Sequence, residues 1–299
     1  MKRWISAMRL RTLPLAASCI LAGSSAAWTE SSNPWPILIW GLLTTFLLQI
    51  LSNLANDYGD FAKGTDNANR VGPERAMQSG AISKKEMQAA LAIVALACLA
   101  SGMLLLHTAL TPRGMFVQAI VFLILGLFAI LAAFRYTVGR NPYGYRGLGD
   151  IFVFLFFGMV GVCGIAFLHT GRFDPYWLLP AMTTGLFSAG VLNLNNLRDH
   201  ENDKASGKMT MVVKMGFLQG KIYHATLMGI GVMSGLLWTA LYAPGLIAMG
   251  AVVPLSVQIR LVLHVFKTDN PADLDPELKK VALLTFATAL LWFAGAAAL

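Results

Sequence analysis

Four polar side chains end the second of the long apolar stretches in the sequence. Asn53, Asn56, Asp57 and Asp60 follow an apolar run over 37–51 and are spaced i, i+3, i+4 and i+7. On a helix this spacing places two amides and two carboxylates on one face. Carboxylates at the end of an apolar helix are costly unless a cation compensates them. The stretch therefore predicts a cation-binding helix end.

A second stripe of the same kind lies at the end of the sixth apolar stretch. Asn195, Asp199 and Asp203 are spaced i, i+4 and i+8, and Asn196 precedes Asp199 by three residues. On a helix these side chains share an arc of roughly 100°. The negative end of the helix dipole adds to the attraction for a cation at both stripes.

The two stripes together favour magnesium bound with a phosphate-bearing substrate. Mg²⁺ is commonly held by one or two carboxylates and by substrate phosphates. No Cys or His lies at ligand spacing near the stripes, so zinc is not expected. The alternative is that the acids are solvated loop charges, or that they pair with neighbouring Arg and Lys residues.

The elements that carry these stripes are predicted to be membrane helices. The 299-residue chain is 56% hydrophobic and 13% charged, against about 25% charged in a typical soluble domain. Its apolar runs, of roughly 17 to 22 residues, are each long enough to cross a bilayer. We predict an all-helical polytopic membrane protein with a single domain over 1–299. The nine predicted spans cover about 13–28, 35–55, 88–107, 115–135, 148–168, 176–196, 221–241, 244–263 and 280–298.

The Lys and Arg residues lie on one side of the predicted helices. Of the 23 Lys and Arg residues, all except Arg113 and Arg172 lie at the N-terminus or in the segments that follow the even-numbered helices. The positive-inside rule then predicts a cytoplasmic N-terminus, cytoplasmic acidic stripes and an external C-terminus. The net charge of +8 is thereby explained by topology, without nucleic-acid binding. Asn-Leu-x-Asn at 53–56 and 193–196 hints that helices 1–4 and 5–8 are a repeat, with helix 9 added.

A diphosphate site at a membrane surface suggests a lipid diphosphate as substrate. Mg²⁺ and cationic side chains would stabilise diphosphate as it leaves, while an isoprenoid tail lies among the helices. The allylic cation needs a dry, electron-rich wall, which Tyr136, Tyr143 and Tyr145 could supply. From the residues alone the reaction is prenyl transfer or another reaction of a lipid diphosphate. A cation transporter is the alternative of a different class, although it would place charges near mid-membrane in broken helices.

Five segments together carry a family resemblance. They are RLRTLP, LQILSNLANDYGD, RVGPERAMQSG, YTVGRNPYGYRGLGD and LNLNNLRDHENDKASGK. Over essentially its full length the chain resembles the UbiA superfamily of intramembrane prenyltransferases, and within it the branch that acts on 1,4-dihydroxy-2-naphthoate in menaquinone biosynthesis. The resemblance implies Mg²⁺-dependent transfer of a polyprenyl group from polyprenyl diphosphate to that acceptor, giving demethylmenaquinone with release of diphosphate and CO₂. It also implies a bacterial plasma membrane and a central cavity open to the cytoplasmic side. Another aromatic acceptor, such as 4-hydroxybenzoate, is the alternative within the superfamily.

The resemblance also assigns roles to single residues. The metal-binding residues that it implies are Asn53, Asn56, Asp57, Asp60, Asp66, Asn196, Asp199 and Asp203. Asp66 is included because the superfamily pattern places an acid at 64, where this chain has Gly64. The expected catalytic residues are Asp57, Asp60, Asp199, Asp203 and Tyr136. The expected diphosphate-binding residues are Asn53, Arg70, Arg75 and Lys208.

The acceptor side of the site is less defined. A carboxylate on the acceptor could be held by Arg9, Arg11 or Arg140. Asp150 begins the fifth predicted helix, and an acid in that position is usually functional. We therefore expect Asp150 to orient an acceptor hydroxyl or a cation.

Overall fold

The computed structural model describes residues 2–66, 71, 75–243 and 245–299. Within these residues, nine helical segments are long and apolar enough to cross a membrane, which confirms the predicted all-helical membrane architecture. They are α1 (Arg3–Glu30), α2 (Pro34–Ala62), α3 (Lys84–Arg113), α4 (Phe116–Arg135), α5 (Gly149–Thr170), α6 (Pro175–Ala205), α7 (Phe217–Leu241), α8 (Gly245–Lys267) and α9 (Pro271–Ala297).

The two helices that carry the acidic stripes are longer than predicted. α2 continues to Ala62 instead of 55, and α6 continues to Ala205 instead of 196. The extensions contain most of the stripe carboxylates and many other polar residues, whose polarity suggested that the helices had ended. Neither extension contains proline, and the helix propensities of Asn and Asp cost only a fraction of a kcal/mol each. Both stripes therefore lie within regular helix, and the residues of each stripe share one helix face as their spacing predicts.

The first span bends near its start. A short helix, Lys2–Met8, packs against α2, and the α-helix resumes at Leu13. Between them Arg9 has φ 48° and ψ 53°, and it alone among the described non-glycine residues has a positive φ. This left-handed conformation costs roughly 1–2 kcal/mol for a residue with a side chain. The surrounding contacts must hold Arg9 in place, and those contacts belong to the site described below.

The bundle has a buried centre and a lipid-facing edge. The most apolar window of α6 is 67% buried, and that of α1 is 50% buried, whereas the window of α4 is only 6% buried. α1 packs against α2, α5, α6 and α9, and α6 also packs against α7. The acidic end of α6 is therefore supported on several sides, which restricts the positions of its side chains.

Glycines allow α5 to approach both central helices. A ten-residue π-helical segment, Phe154–Cys163, runs through the middle of α5. A Cβ added at Gly158 would lie 2.6 Å from the Ala181 carbonyl oxygen of α6, and one added at Gly23 of α1 would lie 2.3 Å from the Val162 carbonyl oxygen. Close backbone approach through small residues is the usual basis of helix packing in membranes. π-helical turns of this kind often occur beside functional sites.

We predict that Gly158→Ala lowers the stability of the purified protein in detergent. The added methyl group would overlap the backbone of α6, and overpacking of this kind costs about 1–3 kcal/mol. Gly229→Ala is the matched control, because Gly229 lies on the exposed surface of α7 and a Cβ there meets nothing within 4 Å. Thermal denaturation followed by size-exclusion chromatography should show a lower midpoint for the first variant only. Equal midpoints would contradict the proposed packing.

Candidate active site

The acidic ends of α2 and α6 meet at one end of the bundle. The side-chain amide of Asn202 donates a buried hydrogen bond of 3.1 Å to the carbonyl oxygen of Thr65, just beyond α2. Lys208 lies between the two stripes, with its Nζ 3.6 Å from Asp60 Oδ2 and 3.9 Å from Asp203 Oδ1. The structure thus brings together the two stripes that the sequence separates by more than a hundred residues.

Lys208 is almost completely buried, with 7% of its surface exposed. Burial opposes its positive charge, but the carboxylates of Asp60 and Asp203 outweigh that effect and raise the pKa of Lys208 above its ordinary value. Lys208 therefore stays protonated across the physiological range. It pairs with one acid from each stripe.

Tyr145 extends this cluster. It belongs to a short 3₁₀ turn between α4 and α5, Tyr143–Arg146. Its hydroxyl donates to Asp60 Oδ1 over 2.8 Å and lies 2.5 Å from the hydroxyl of Thr65. Burial and the nearby charge of Asp60 raise the pKa of Tyr145 above its ordinary value. The ammonium groups of Lys63 and Lys208 lie 5.1 and 5.4 Å from its ring centroid, within cation–π range.

Asp57 is held by the N-terminal segment. The guanidinium of Arg9 donates to Asp57 Oδ1, and Arg75 Nε lies 3.7 Å from the same oxygen. Arg75 Nε also lies 3.9 Å from Asp66 Oδ1, so Asp66 belongs to the same group of charges. Asp57 is 1% exposed. Its ion pair with Arg9 accounts for the left-handed backbone of Arg9, because strained residues persist where surrounding contacts fix them.

Asn53 fastens the same N-terminal segment to α2. Its amide nitrogen donates to the Met8 carbonyl oxygen over 2.9 Å and to the Thr12 hydroxyl over 3.0 Å. Its amide oxygen accepts from Gln49 Nε2 over 3.3 Å. In this arrangement Asn53 positions the segment that carries Arg9.

Asp199 has a bidentate partner next to it in the chain. Arg198 donates to both oxygens of Asp199, over 2.9 and 2.6 Å, and also to Asn195 Oδ1 over 2.8 Å. A further donor of Arg198 pairs with Asp275 at the start of α9. Arg198 is 3% exposed. Arg198 is not among the predicted site residues, although a basic residue directly beside Asp199 is a sequence signal for such a partner.

Other predicted residues take different positions. Asn196 and Asp150 are buried but do not line the cavity described next, and Arg140 is exposed away from it. Arg70 lies outside the described residues.

Tyr136 lines the cavity and packs against Gly144, where an added Cβ would lie 2.8 Å from its ring. Burial raises the pKa of Tyr136 to about 12, so its hydroxyl stays neutral.

Gly59 within the NDYGD motif has a steric role. A Cβ at this position would lie 2.3 Å from the hydroxyl oxygen of Thr137, which donates to the Ala55 carbonyl oxygen over 3.0 Å. Glycine lets the segment after α4 pack directly on α2. This contact brings Tyr136 and the Tyr143–Arg146 turn toward the acidic residues.

A cavity of about 560 Å³ extends from this charged end into the bundle. Its charged end includes Asp60, Asp199, Asp203 and Lys208. Along α2 its lining runs from Asp60 back to Gly41, about 28 Å at the rise of an α-helix. The part of the lining formed by α4 and α5 is apolar and includes Phe122, Gly126, Ala129, Phe152 and Phe156. The cavity therefore suits a long apolar molecule with a strongly charged head group.

The charged end can bind a polyanion together with a hard cation. Within the described residues, no three carboxylate, imidazole or thiolate groups converge as ligands of one metal ion, since the acids are paired with Arg and Lys instead. Two buried oxygens, Asn56 Oδ1 and Asp57 Oδ2, make no hydrogen bond to the described part of the chain. Carboxylate and amide oxygens of this kind are the ligands that Mg²⁺ prefers. The donor set thus fits Mg²⁺, and the basic partners fit an anion that the ion would accompany.

The chain is similar to known prenyltransferases in sequence and in fold. A 1,4-dihydroxy-2-naphthoate octaprenyltransferase of Haemophilus influenzae is 37% identical over 297 residues, covering 99% of this chain and 96% of that protein. One of Escherichia coli is 47% identical over 226 residues, covering 75% of this chain and 72% of that protein. A UbiA homolog from Archaeoglobus fulgidus, solved bound to DMAPP and Mg²⁺, has the same fold at 15% identity, with a TM-score of 0.64 over 98% of this chain and 99% of that one. The profile of the UbiA prenyltransferase family matches residues 16–285, and the chain belongs to that family.

Proposed function

We propose that the protein transfers a polyprenyl group from a polyprenyl diphosphate to 1,4-dihydroxy-2-naphthoate. The observation that carries this proposal is the cavity, in which two acidic helix ends joined by Lys208 adjoin a long apolar space. The relatives named as 1,4-dihydroxy-2-naphthoate octaprenyltransferases, which match nearly the whole chain, support the choice of acceptor. The products would be diphosphate, CO₂ and the prenylated naphthohydroquinone, which is the reduced form of demethylmenaquinone.

The diphosphate would lie at the charged end of the cavity. Mg²⁺ held by residues of both stripes would neutralise negative charge on the diphosphate as it leaves. The residues that would hold it are Asn56, Asp57, Asp60, Asp66, Asp199 and Asp203. Lys208, Arg75 and Arg198 would then share their positive charge with the diphosphate oxygens. Cations placed in advance where charge develops stabilise a transition state strongly in a site of low polarity.

The chain's own residues would also control the carbon centre. The bond between the prenyl C1 and the diphosphate oxygen breaks, and its electron pair leaves with diphosphate. Tyr136 and Tyr143 both line the cavity, and their aromatic faces would stabilise the allylic cation. Exclusion of water from this wall prevents capture of the cation as an alcohol.

The acceptor then supplies the electrons for the new bond. The ring carbon that carries the carboxylate attacks the prenyl C1, and a carbon–carbon bond forms. The carboxylate leaves as CO₂, and the electron pair of the broken bond returns to the ring and restores its aromaticity. No added oxidant, reductant or proton donor is required.

We predict acceptor-dependent and Mg²⁺-dependent turnover. Purified protein in detergent should convert radiolabelled farnesyl diphosphate when Mg²⁺ and 1,4-dihydroxy-2-naphthoate are present, with one CO₂ released for each prenyl group transferred. Omission of Mg²⁺ should abolish the product, because the diphosphate charge would remain uncompensated. Product formed only with 4-hydroxybenzoate would contradict the proposed acceptor. Turnover in the presence of EDTA would contradict the proposed role of Mg²⁺.

A second prediction concerns the carboxylates themselves. Asp60→Asn and Asp199→Asn should each lower kcat/KM by about 100-fold or more, because each removes charge from the pair of acidic helix ends. Asp269→Asn is the matched control, since Asp269 has a fully exposed side chain outside the cavity. Steady-state kinetics on variants of equal purity would measure the difference. Activity near that of the wild type in both stripe variants would show that the acids serve only in structural ion pairs.

A further inference from the structure

Four polar side chains of α2 face the interior of the cavity away from the acidic residues. They are Thr44, Thr45, Gln49 and Ser52, and all four line the cavity. The row covers about 12 Å along the helix. It lies in the membrane-spanning part of α2, where polar groups without partners are costly.

The hydroxyl groups of this polar row are not used within the protein. Thr44, Thr45 and Ser52 make no hydrogen bond to the described part of the chain. The Thr44 hydroxyl oxygen is buried from the cavity, so the hydroxyls that a bound molecule can reach are those of Thr45 and Ser52. Other embedded hydroxyls bond the carbonyl four residues earlier, the usual solution in apolar helices. They include those of Thr183, Thr184, Ser188, Thr239, Thr285 and Thr288.

Gln49 completes the row with an available acceptor. Its amide nitrogen donates to Asn53 Oδ1 over 3.3 Å, which fixes the direction of the side chain. Its amide oxygen accepts no hydrogen bond from the described residues. The row therefore offers both donors and acceptors to a molecule in the cavity.

A prenyl tail would gain nothing from these groups. An apolar chain in contact with them would leave their hydrogen-bonding capacity unsatisfied. The part of the lining formed by α4 and α5, with Phe122, Gly126, Ala129 and Phe156, is apolar and suits the tail. The two parts of the lining thus favour different parts of the reacting pair.

The position of the row matches that of an acceptor ring. Ser52 lies one turn before Asn56, and Asn56 lies beside the acidic end where the diphosphate would bind. Arg11 also lines the cavity and adjoins Thr12, whose hydroxyl accepts a hydrogen bond from Asn53. A ring held along the row would have a basic side chain near one edge and the prenyl C1 near its face.

We propose that Thr45, Gln49 and Ser52 recognise the hydroxyl groups of a hydroxylated aromatic acid. Its carboxylate would point toward Arg11. The hydroxyls of the ring both donate and accept hydrogen bonds, as do those of Thr and Ser. One ring hydroxyl would donate to the Gln49 amide oxygen. This assignment rests on the proposed function, and it places acceptor specificity on α2, with Arg140 playing no direct part.

The inference predicts a selective change in acceptor binding. Thr45→Val and Gln49→Leu should each raise the KM for 1,4-dihydroxy-2-naphthoate about threefold to tenfold, the usual effect of one lost hydrogen bond. The KM for farnesyl diphosphate should stay within about twofold of the wild-type value, because the tail does not use these groups. Thr288→Val is the matched control, because the Thr288 hydroxyl bonds the Leu284 carbonyl oxygen and the residue does not line the cavity.

A binding measurement separates this inference from the proposed function. Equilibrium binding of 1,4-dihydroxy-2-naphthoate and of its analogue lacking the 4-hydroxyl would be measured without Mg²⁺ or prenyl diphosphate. The wild type should prefer the dihydroxy compound, and at least one of the two variants should lose most of that preference. Unchanged acceptor affinity in both variants, or a raised KM for farnesyl diphosphate, would overturn the inference and leave the row to ordered water or to the tail. Normal binding by a wild-type protein without turnover would contradict the proposed function alone.

Discussion

Burial of opposite charges at one end of a membrane bundle is the constraint on which the rest of the structure depends. Asp57, Asp60, Asp199 and Asp203 are each less than 10% exposed. Isolated carboxylates would be strongly destabilising there, so each must have a cationic partner. Arg9, Arg198 and Lys208 provide those partners. Such pairs contribute little net stability, and we infer that they are retained for binding a polyanion.

The apolar helices position these charges through close packing. Glycines at 23, 158 and 185 allow α5 to lie against α1 and α6, and Gly59 allows Thr137 to contact α2. The N-terminal segment is fixed by Asn53 and by the ion pair of Arg9 with Asp57. The turn that carries Tyr145 and the loop that carries Lys208 are joined by a hydrogen bond from the Met209 amide to the Tyr145 carbonyl oxygen. Three separate parts of the chain therefore meet around the two acidic helix ends.

Much of this arrangement could be predicted from periodicity and charge. Apolar run length predicted nine spans, and the i, i+3, i+4 and i+7 spacing of Asn53 to Asp60 predicted a polar helix face. The distribution of Lys and Arg predicted that the two stripes lie on the same side of the membrane, and the structure brings them together. These features follow from local sequence, since helix geometry and hydropathy are properties of short segments.

The partners of the acids could not be predicted in the same way. The pairing of Arg9 with Asp57 and the contact of Tyr145 with Asp60 join residues 48 and 85 positions apart, and no local pattern encodes them. Asn53 stays a predicted ligand, and the structure adds a contact that no local pattern encodes, because its amide joins the N-terminal segment to α2. The unpaired hydroxyls of α2 could not be predicted from the sequence either. Thr and Ser in a membrane helix usually bond their own backbone, and only the structure shows which of them do not.

The central claim is that one Mg²⁺–diphosphate group is shared by the ends of α2 and α6. Affinity for a non-hydrolysable farnesyl diphosphate analogue, measured with and without Mg²⁺, tests it most directly when combined with a double-mutant cycle on Asp60→Asn and Asp203→Asn. The account predicts Mg²⁺-dependent binding that each substitution weakens about tenfold or more, with the double variant little weaker than the worse single one, as expected for coupled sites. Strictly additive losses, or binding that does not respond to Mg²⁺, would contradict it.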